Sequence, residues 1–294
     1  MKEKVAVLIP CYNEELTVEK VVSDFKKELP KADVYVYDNN SKDNTAKLAK
    51  KAGAIVVPEY KQGKGNVVRS MFSDIDADYY VLVDGDDTYP ADEVHQLLDK
   101  AKQGYDMVIG DRLSSTYYTE NKRPFHNFGN DLVRLLINKI FKSDIKDIMT
   151  GYRVFSKKFV KTTAMMSPGF QIETEMTITA LEYRYNIASI PITYRDRPEG
   201  SSSKLNTVSD GIRVLITLFD MAKDYRPLWS LTMVSLVVLL LAIILIKFNT
   251  IASSVLFLIA FILVALGLIL DHQTNIDKKN HELIVKKWVE ENRK

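Results

Sequence analysis

Two charge-free runs, Leu228–Ile246 and Ile251–Leu270, constrain this chain more than any other feature. Each is about 20 residues, roughly 30 Å as a helix, which matches the hydrocarbon core of a bilayer. Four residues, KFNT, join them, so the two helices must form an antiparallel hairpin. A buried pair of core helices is the alternative reading. Lys223 and Arg226 precede the pair, Lys278, Lys279, Lys286 and Lys287 follow it, and Lys247 alone marks the turn. The positive-inside rule then puts both ends, and the large N-terminal part, in the cytoplasm. Cys11 is the single cysteine, so no internal disulfide can form and a reducing compartment fits. The opening MKEKVAVLIPCYNEE reads as a first strand rather than a signal peptide. Net charge is only +2, which gives no case for nucleic acid as a partner.

The first 110 residues alternate strand and helix signals. Val5–Ile9, Val34–Tyr37, Ala54–Val57, Tyr79–Val83 and Met107–Gly110 are short β-rich runs. Leu16–Leu29, Thr45–Ala52 and Ala91–Gln103 carry helical patterning between them. This predicts an α/β fold with a mainly parallel sheet covered on both faces, whose ligands bind beyond the carboxyl ends of the strands. Further on, Asn127–Phe141 and Glu173–Tyr185 read as helices and Ile187–Tyr194 as a strand. Leu205–Lys223 is amphipathic, with Val208, Ile212, Leu215, Phe219 and Ala222 in one stripe. Such a helix either lies on a membrane surface or packs on the globular part, or does both on its two sides. The charged tail, 276–294, reads as a surface helix.

At the end of the fourth strand, YYVLVDGDDTYP places Asp84, Asp86 and Asp87 around Gly85 with no basic residue among them. Carboxylates without thiols or imidazoles suit a hard divalent cation, Mg²⁺ or Mn²⁺, which completes its shell with water and substrate phosphates. An exposed acidic turn capping the next helix is the plainer reading, and Asp87 and Thr88 fit it. KQGKGN supplies Lys61 and Lys64 beside glycines whose backbone could approach an anion, or it is an ordinary turn. It matches neither a Walker loop nor a dinucleotide fingerprint. RDRPEGSSSK offers Arg195, Arg197 and Lys204 in a loop that either closes on a diphosphate or is a solvated linker.

Taken in order, IPCYNEE, DNNSKDNT, QGKGNVV, VLVDGDDTYP, GDRL, DIMTGYRVFS, FQIETEM and YRDRPEGSSSKL resemble one family across residues 4–270. They look like inverting GT-A glycosyltransferases of the dolichol-phosphate mannose synthase type. The likeness extends to bacterial polyprenyl-phosphate hexosyltransferases with a C-terminal membrane hairpin. The resemblance implies a GT-A catalytic domain (1–204) with a Rossmann-like mixed, mainly parallel sheet. It also implies a juxtamembrane helix (205–227), a transmembrane hairpin (228–270) and a cytoplasmic tail (271–294). Pro10, Tyr12, Glu14 and Asp38 would line the nucleotide pocket, with Asp38 at the base edge and Lys64 near the nucleotide. Asp84 would meet ribose or metal, and Asp86 would ligate the metal on the diphosphate. Arg112 matches an acceptor-phosphate arginine, and Arg123 or His126 could supply a second acceptor cation. Arg197, Ser203 and Lys204 match a phosphate-gripping lid that is one residue longer here. Asp147, and Glu173 or Glu175, would position the acceptor or a donor hydroxyl.

The implied reaction moves a hexose from a nucleotide-sugar to polyprenyl phosphate at the cytoplasmic membrane, with Mg²⁺ or Mn²⁺ as cofactor and a homo-oligomer, such as a tetramer, as the assembly. UDP-glucose or UDP-N-acetylglucosamine is the expected donor, with GDP-mannose as the alternative. A processive polysaccharide synthase fits less well. Such synthases carry a Q-x-x-R-W motif, whereas Trp229 and Trp288 lie in neither case within one. A non-catalytic nucleotide-sugar-binding scaffold is disfavoured by the intact acids and lid cations.

Overall fold

The computed structural model describes residues 3–114, 124–198, 200 and 207–292. The chain divides into two compact units, Met1–Leu215 and Ile216–Lys294.

In the first unit, seven strands form one sheet in the order β3-β2-β1-β4-β6-β5-β7. They are β1 (Val5–Cys11), β2 (Asp33–Asp38), β3 (Ile55–Pro58), β4 (Tyr79–Leu82), β5 (Met107–Asp111), β6 (Arg153–Ser156) and β7 (Ile187–Pro191). Strands β1 to β4 are mutually parallel, and β5 runs parallel to β7. Strand β6 is antiparallel to both β4 and β5. Because β6 reverses direction twice over, β5 shares the sense of β4, and the carboxyl ends of β1, β2, β4 and β5 open on one rim. The chain leaves β1 for β2 on one side and meets β4 on the other, so the crevice of an open α/β sheet falls between β1 and β4. Val7, Ile9, Val36 and Val81 are fully buried beneath that rim. Amphipathic helices α1 (Val18–Glu28), α2 (Thr45–Lys51), α3 (Lys64–Asp74) and α4 (Val94–Lys102) connect these strands. On α1, Val18, Val21, Val22 and Phe25 are buried, the i, i+3, i+4, i+7 spacing of a helix face on a core. Helices α5 (Pro124–Phe141), α6 (Lys157–Thr162) and α7 (Ile172–Glu182) follow.

Strand β6 carries the largest fully buried side chain, Arg153. Its Nε donates to Thr150 O (3.0 Å), Nη1 to Thr177 Oγ1 (2.8 Å) and Nη2 to Ile148 O. Burial pushes the guanidinium down to about 10. These bonds fasten the 148–150 turn to α7 and let a charged residue occupy a central strand.

Helix α8 (Thr207–Tyr225) spans the division between the units. Its apolar residues occupy two faces rather than the one stripe expected. Val214, Leu218, Met221 and Ala222 are buried, while Ile212, Ile216 and Phe219 are exposed. Ala222 therefore leaves the predicted stripe for the buried face, and the side chains of Val208 and Leu215 lie outside the described residues.

The second unit holds α9 (Pro227–Leu245) and α10 (Thr250–Asn292), both long and apolar enough to cross a membrane. Their seam uses small residues. Ser235 Oγ donates to Ala260 O and Ser253 Oγ to Ala242 O, each at 2.8 Å, and a Cβ on Gly267 would come within 3.2 Å of Leu228 Cα. Close backbone approach with hydroxyl–carbonyl bonds is how helices associate in lipid. Outward residues such as Leu240, Phe248, Ile251 and Phe261 stay exposed. The tail is not a separate helix: α10 runs unbroken for 43 residues, past the apolar stretch to Asn292.

Candidate active site

A cleft of about 540 Å³ opens at the rim between β1 and β4. Seven of the expected residues line it: Pro10, Tyr12, Glu14, Lys64, Asp84, Asp86 and Arg197. The loops behind it are tied together. Asn39 Nδ2 donates to Glu59 O and Lys61 O, both at 2.9 Å, and its Oδ1 accepts from Gly63 N (2.7 Å) and Gln62 Nε2 (3.1 Å). One buried amide thus fixes the KQGKGN loop to the end of β2. Asn13 and Glu15 fasten the loop after β1 to that after β2, through Lys42 N and Asn44 N.

The acids do not stand alone. Lys64 Nζ lies 2.5 Å from Asp84 Oδ1 and 2.5 Å from Glu173 Oε1. Arg197 pairs with Asp86 through Nη2, and its Nη1 is 3.9 Å from Glu14 Oε1. Asp86 Oδ1 also accepts from Thr88 Oγ1 at 2.7 Å and Thr88 N at 3.2 Å. Burial, with Asp84 beside it, raises the Asp86 carboxyl above its ordinary range, and Arg197 and Thr88 pull it back. Burial opposes the charge on Lys64, but Asp84 and Glu173 outweigh it and hold the ammonium well above its usual value. Asp87 differs: it pairs with exposed Lys20 (2.7 Å), adopts φ +60°, and does not line the cleft.

These groups fit a hard divalent cation. Asp84 and Asp86 present oxygen donors where two side-chain cations already sit as stand-ins. Cys11, in the lining, is buried, and burial followed by Glu14 raises its thiol, so it offers no thiolate. Among the described residues no three His, Cys, Asp or Glu side chains form a closed cage. Two carboxylates with an open remainder suit a cation whose shell is completed by substrate oxygens.

Four expectations find other placements. Asp38 sits at the end of β2 beside Cys11, outside the lining, with Oδ1 buried and without a hydrogen-bond partner. Asp147, 1% exposed, lies under Arg112: its Oδ2 accepts from Arg112 Nε (2.8 Å) and N (3.0 Å), and its Oδ1 from Nη2 (2.9 Å). Glu175 accepts from Met166 N (2.8 Å) and Ser167 N (2.7 Å), so it shapes a loop. The glycines of KQGKGN approach protein backbone: a Cβ on Gly65 would stand 1.9 Å from Ser167 O. Arg123, Ser203 and Lys204, and the His126 side chain, lie outside the described residues.

Sequence reasoning missed that 167–171 loop. Pro168, Gly169, Phe170 and Gln171 line the cleft, and the Phe170 ring centroid is 5.8 Å from Lys64 Nζ. Phe170 and Gln171 open the FQIETEM motif, which was its signal, whereas Pro168 and Gly169 precede it unmarked. Gly65→Ala should drive Lys64 and this loop apart. We expect a loss of about 1–3 kcal/mol of stability, the usual cost of overpacking, read by thermal melts.

Arg112 follows β5 on the same rim. The Tyr194 ring centroid lies 5.5 Å from its guanidinium, Tyr194 meets Tyr89 edge-on at 5.7 Å, and Tyr89 Oη accepts from Gly151 N at 3.0 Å. Gly151 in turn abuts the Asp84 carboxylate, 2.3 Å from where a Cβ would be. One packed chain of residues therefore sets the distance between the acids and Arg112.

The model of glycosyl transferase family 2 matches residues 6–163, which includes the acids and Arg112. The chain belongs to this family. It is a family 2 glycosyltransferase with a mixed sheet of the GT-A type. It is 37% identical over 228 residues to glycosyltransferase AglJ of Haloferax volcanii, covering 77% of this chain and 75% of that protein. It is 29% identical to the dolichyl-phosphate hexose transferase of the same organism, covering 72% of this chain and 91% of the relative. A solved structure with the same fold is glucosyl-3-phosphoglycerate synthase from Mycobacterium tuberculosis, in complex with Mn²⁺, UDP and glucosyl-3-phosphoglycerate. It has a TM-score of 0.59 and 20% identity, covering 75% of this chain and 80% of that one. In this family 2 glycosyltransferase the cleft, rather than the sheet, carries what is particular to its reaction.

Proposed function

We propose that this glycosyltransferase moves a hexose from a nucleotide-sugar, UDP-glucose or UDP-N-acetylglucosamine, to a polyprenyl phosphate at the cytoplasmic face of a membrane. The observation that carries this reading is the pair of acids on the rim, Asp84 and Asp86, each held by a cation that a diphosphate could claim. The hexose-transferase relative and the two apolar helices support a lipid-borne acceptor.

Pro10 and Tyr12 would hold the nucleoside. Mg²⁺ or Mn²⁺ bound at Asp84 and Asp86 would supply positive charge against the departing diphosphate. Lys64 and Arg197 would add donors to the same oxygens. Arg112, with its fork locked by Asp147, would orient the acceptor phosphate. That phosphate has a second pKa of about 6 and is already largely ionised at neutral pH. No strong base is then required, which agrees with Asp147 and Glu175 being engaged in holding Arg112 and the 166–167 backbone. Attack from the face opposite the leaving group inverts the anomeric centre. The hairpin would confine enzyme and acceptor to one surface, and the exposed Ile212, Ile216 and Phe219 of α8 suit an interface.

The test is a panel of nucleotide-sugars incubated with the full-length protein in detergent. UDP release that needs both divalent metal and a short polyprenyl phosphate is the expected result. Release with GDP-mannose alone would move the donor to mannose, and release without the lipid phosphate would sink the acceptor assignment.

A further inference from the structure

Lys64 bridges two carboxylates that do different things. Asp84 belongs to the cation site of the proposed function, whereas Glu173 lies at the start of α7, 4% exposed. Resting on that proposed function, we propose that Lys64 is a displaceable counter-ion. It holds Asp84 until the donor's metal arrives, then stays in the cleft on Glu173, which positions it against the diphosphate.

Three observations carry this. First, Asp84 and Glu173 share the Lys64 ammonium at 2.5 Å each, so a metal that takes Asp84 leaves Glu173 to hold it. Second, Glu173 Oε2 is buried with no hydrogen-bond partner, so the carboxylate can take more of the ammonium when Asp84 is withdrawn. Burial raises the Glu173 carboxyl and Lys64 pulls it back. Third, Lys64 is the first residue of α3, next to a glycine pressed on Ser167, and its ammonium lies near the Phe170 ring. Its backbone is fixed, so only the side chain can swing, and the swing stays inside the cleft. An apo site whose Asp84 is already held by Lys64 takes up metal and diphosphate together rather than metal alone.

The experiment titrates Mn²⁺ into full-length protein by electron paramagnetic resonance, first without nucleotide and then with UDP. Lys64→Gln frees Asp84 and should tighten Mn²⁺ binding without nucleotide by about tenfold, the low end of close charge-pair couplings. Glu173→Gln leaves Lys64 entirely on Asp84 and should weaken it. Damage to the fold would weaken both, so opposite signs support the proposal and equal signs overturn it. Lys64→Arg keeps the charge and should show no gain; a gain would count against displacement. Positioning is read separately from UDP affinity in saturating Mn²⁺. Glu173→Gln should cost at least fivefold in the native background and nothing further in Lys64→Gln, since the two act as one unit. An equal loss in both backgrounds would remove Glu173 from the role. Wild-type protein that fails to bind UDP with Mn²⁺ at all would overturn the donor assignment itself, an outcome distinct from unchanged variants on a competent wild type.

Discussion

Asp86→Ala is expected to lower turnover by about 10²–10³-fold, the loss seen when one preorganised stabiliser of developing charge is removed. Asp86 is 5% exposed, and both its oxygens are committed: Oδ1 to Thr88 and Oδ2 to Arg197. Alanine would remove a cation ligand and also the contact that keeps Arg197 in the cleft, so two sources of positive charge would fail together. The control is its neighbour. Asp87→Asn tolerates the positive φ and loses only an exposed pair with Lys20, so turnover should stay within about twofold, as surface pairs contribute little. Substitutions at Asp147, Glu173 and Glu175 should each cost less turnover than Asp86. Initial rates of UDP release for the set give the ordering, and a wild-type rate for Asp86→Ala would end the metal-site reading.

Asp147→Ala should be the most destabilising of the site substitutions, by about 3–5 kcal/mol, the range for breaking a buried ion pair from one side. Arg112 makes three hydrogen bonds to that carboxylate and is 9% exposed. Without Asp147 its charge stays buried, because a guanidinium cannot shed its proton at neutral pH. The reverse change is milder, because Arg112→Ala removes the permanently charged member of the pair and leaves no guanidinium in the buried site. Thermal melts at pH 7 should therefore rank Asp147→Ala well below Arg112→Ala, while Arg112→Ala should show the greater rise in acceptor KM. Equal melting temperatures would mean the pair is more hydrated than its burial indicates.

The parallel strands were readable because each is a short β-branched run, and the acid cluster stood out because charge ends the fourth of them abruptly. The hairpin was plain from length alone. Strand β6 was not readable: Arg153 in a four-residue strand looks like a loop, and the carbonyls of residues 148 and 150 with the Thr177 hydroxyl make its burial tolerable. Helix α3 was hidden behind two glycines that suggested a phosphate loop, whereas Gly65 makes room for the Ser167 carbonyl. Periodicity found α8 but merged its two apolar faces into one, since a helical stripe says nothing of which neighbour covers it. Roles at the site divided in the same way. Residue types foretold which side chains gather, but not which acid binds a cation and which holds backbone, because that depends on partners distant in the chain, such as Glu175 with Ser167.

Cys11 has a practical consequence. It is the chain's sole thiol, 2% exposed and held in its unreactive protonated form by burial and the surrounding acids. Maleimide probes should therefore ignore the native protein. Tyr60→Cys and Met166→Cys, at sites 78% and 72% exposed, would accept spin or fluorescent labels without first engineering away an endogenous cysteine. Donor-induced movement of the loops around the cleft then becomes measurable in the otherwise unaltered chain.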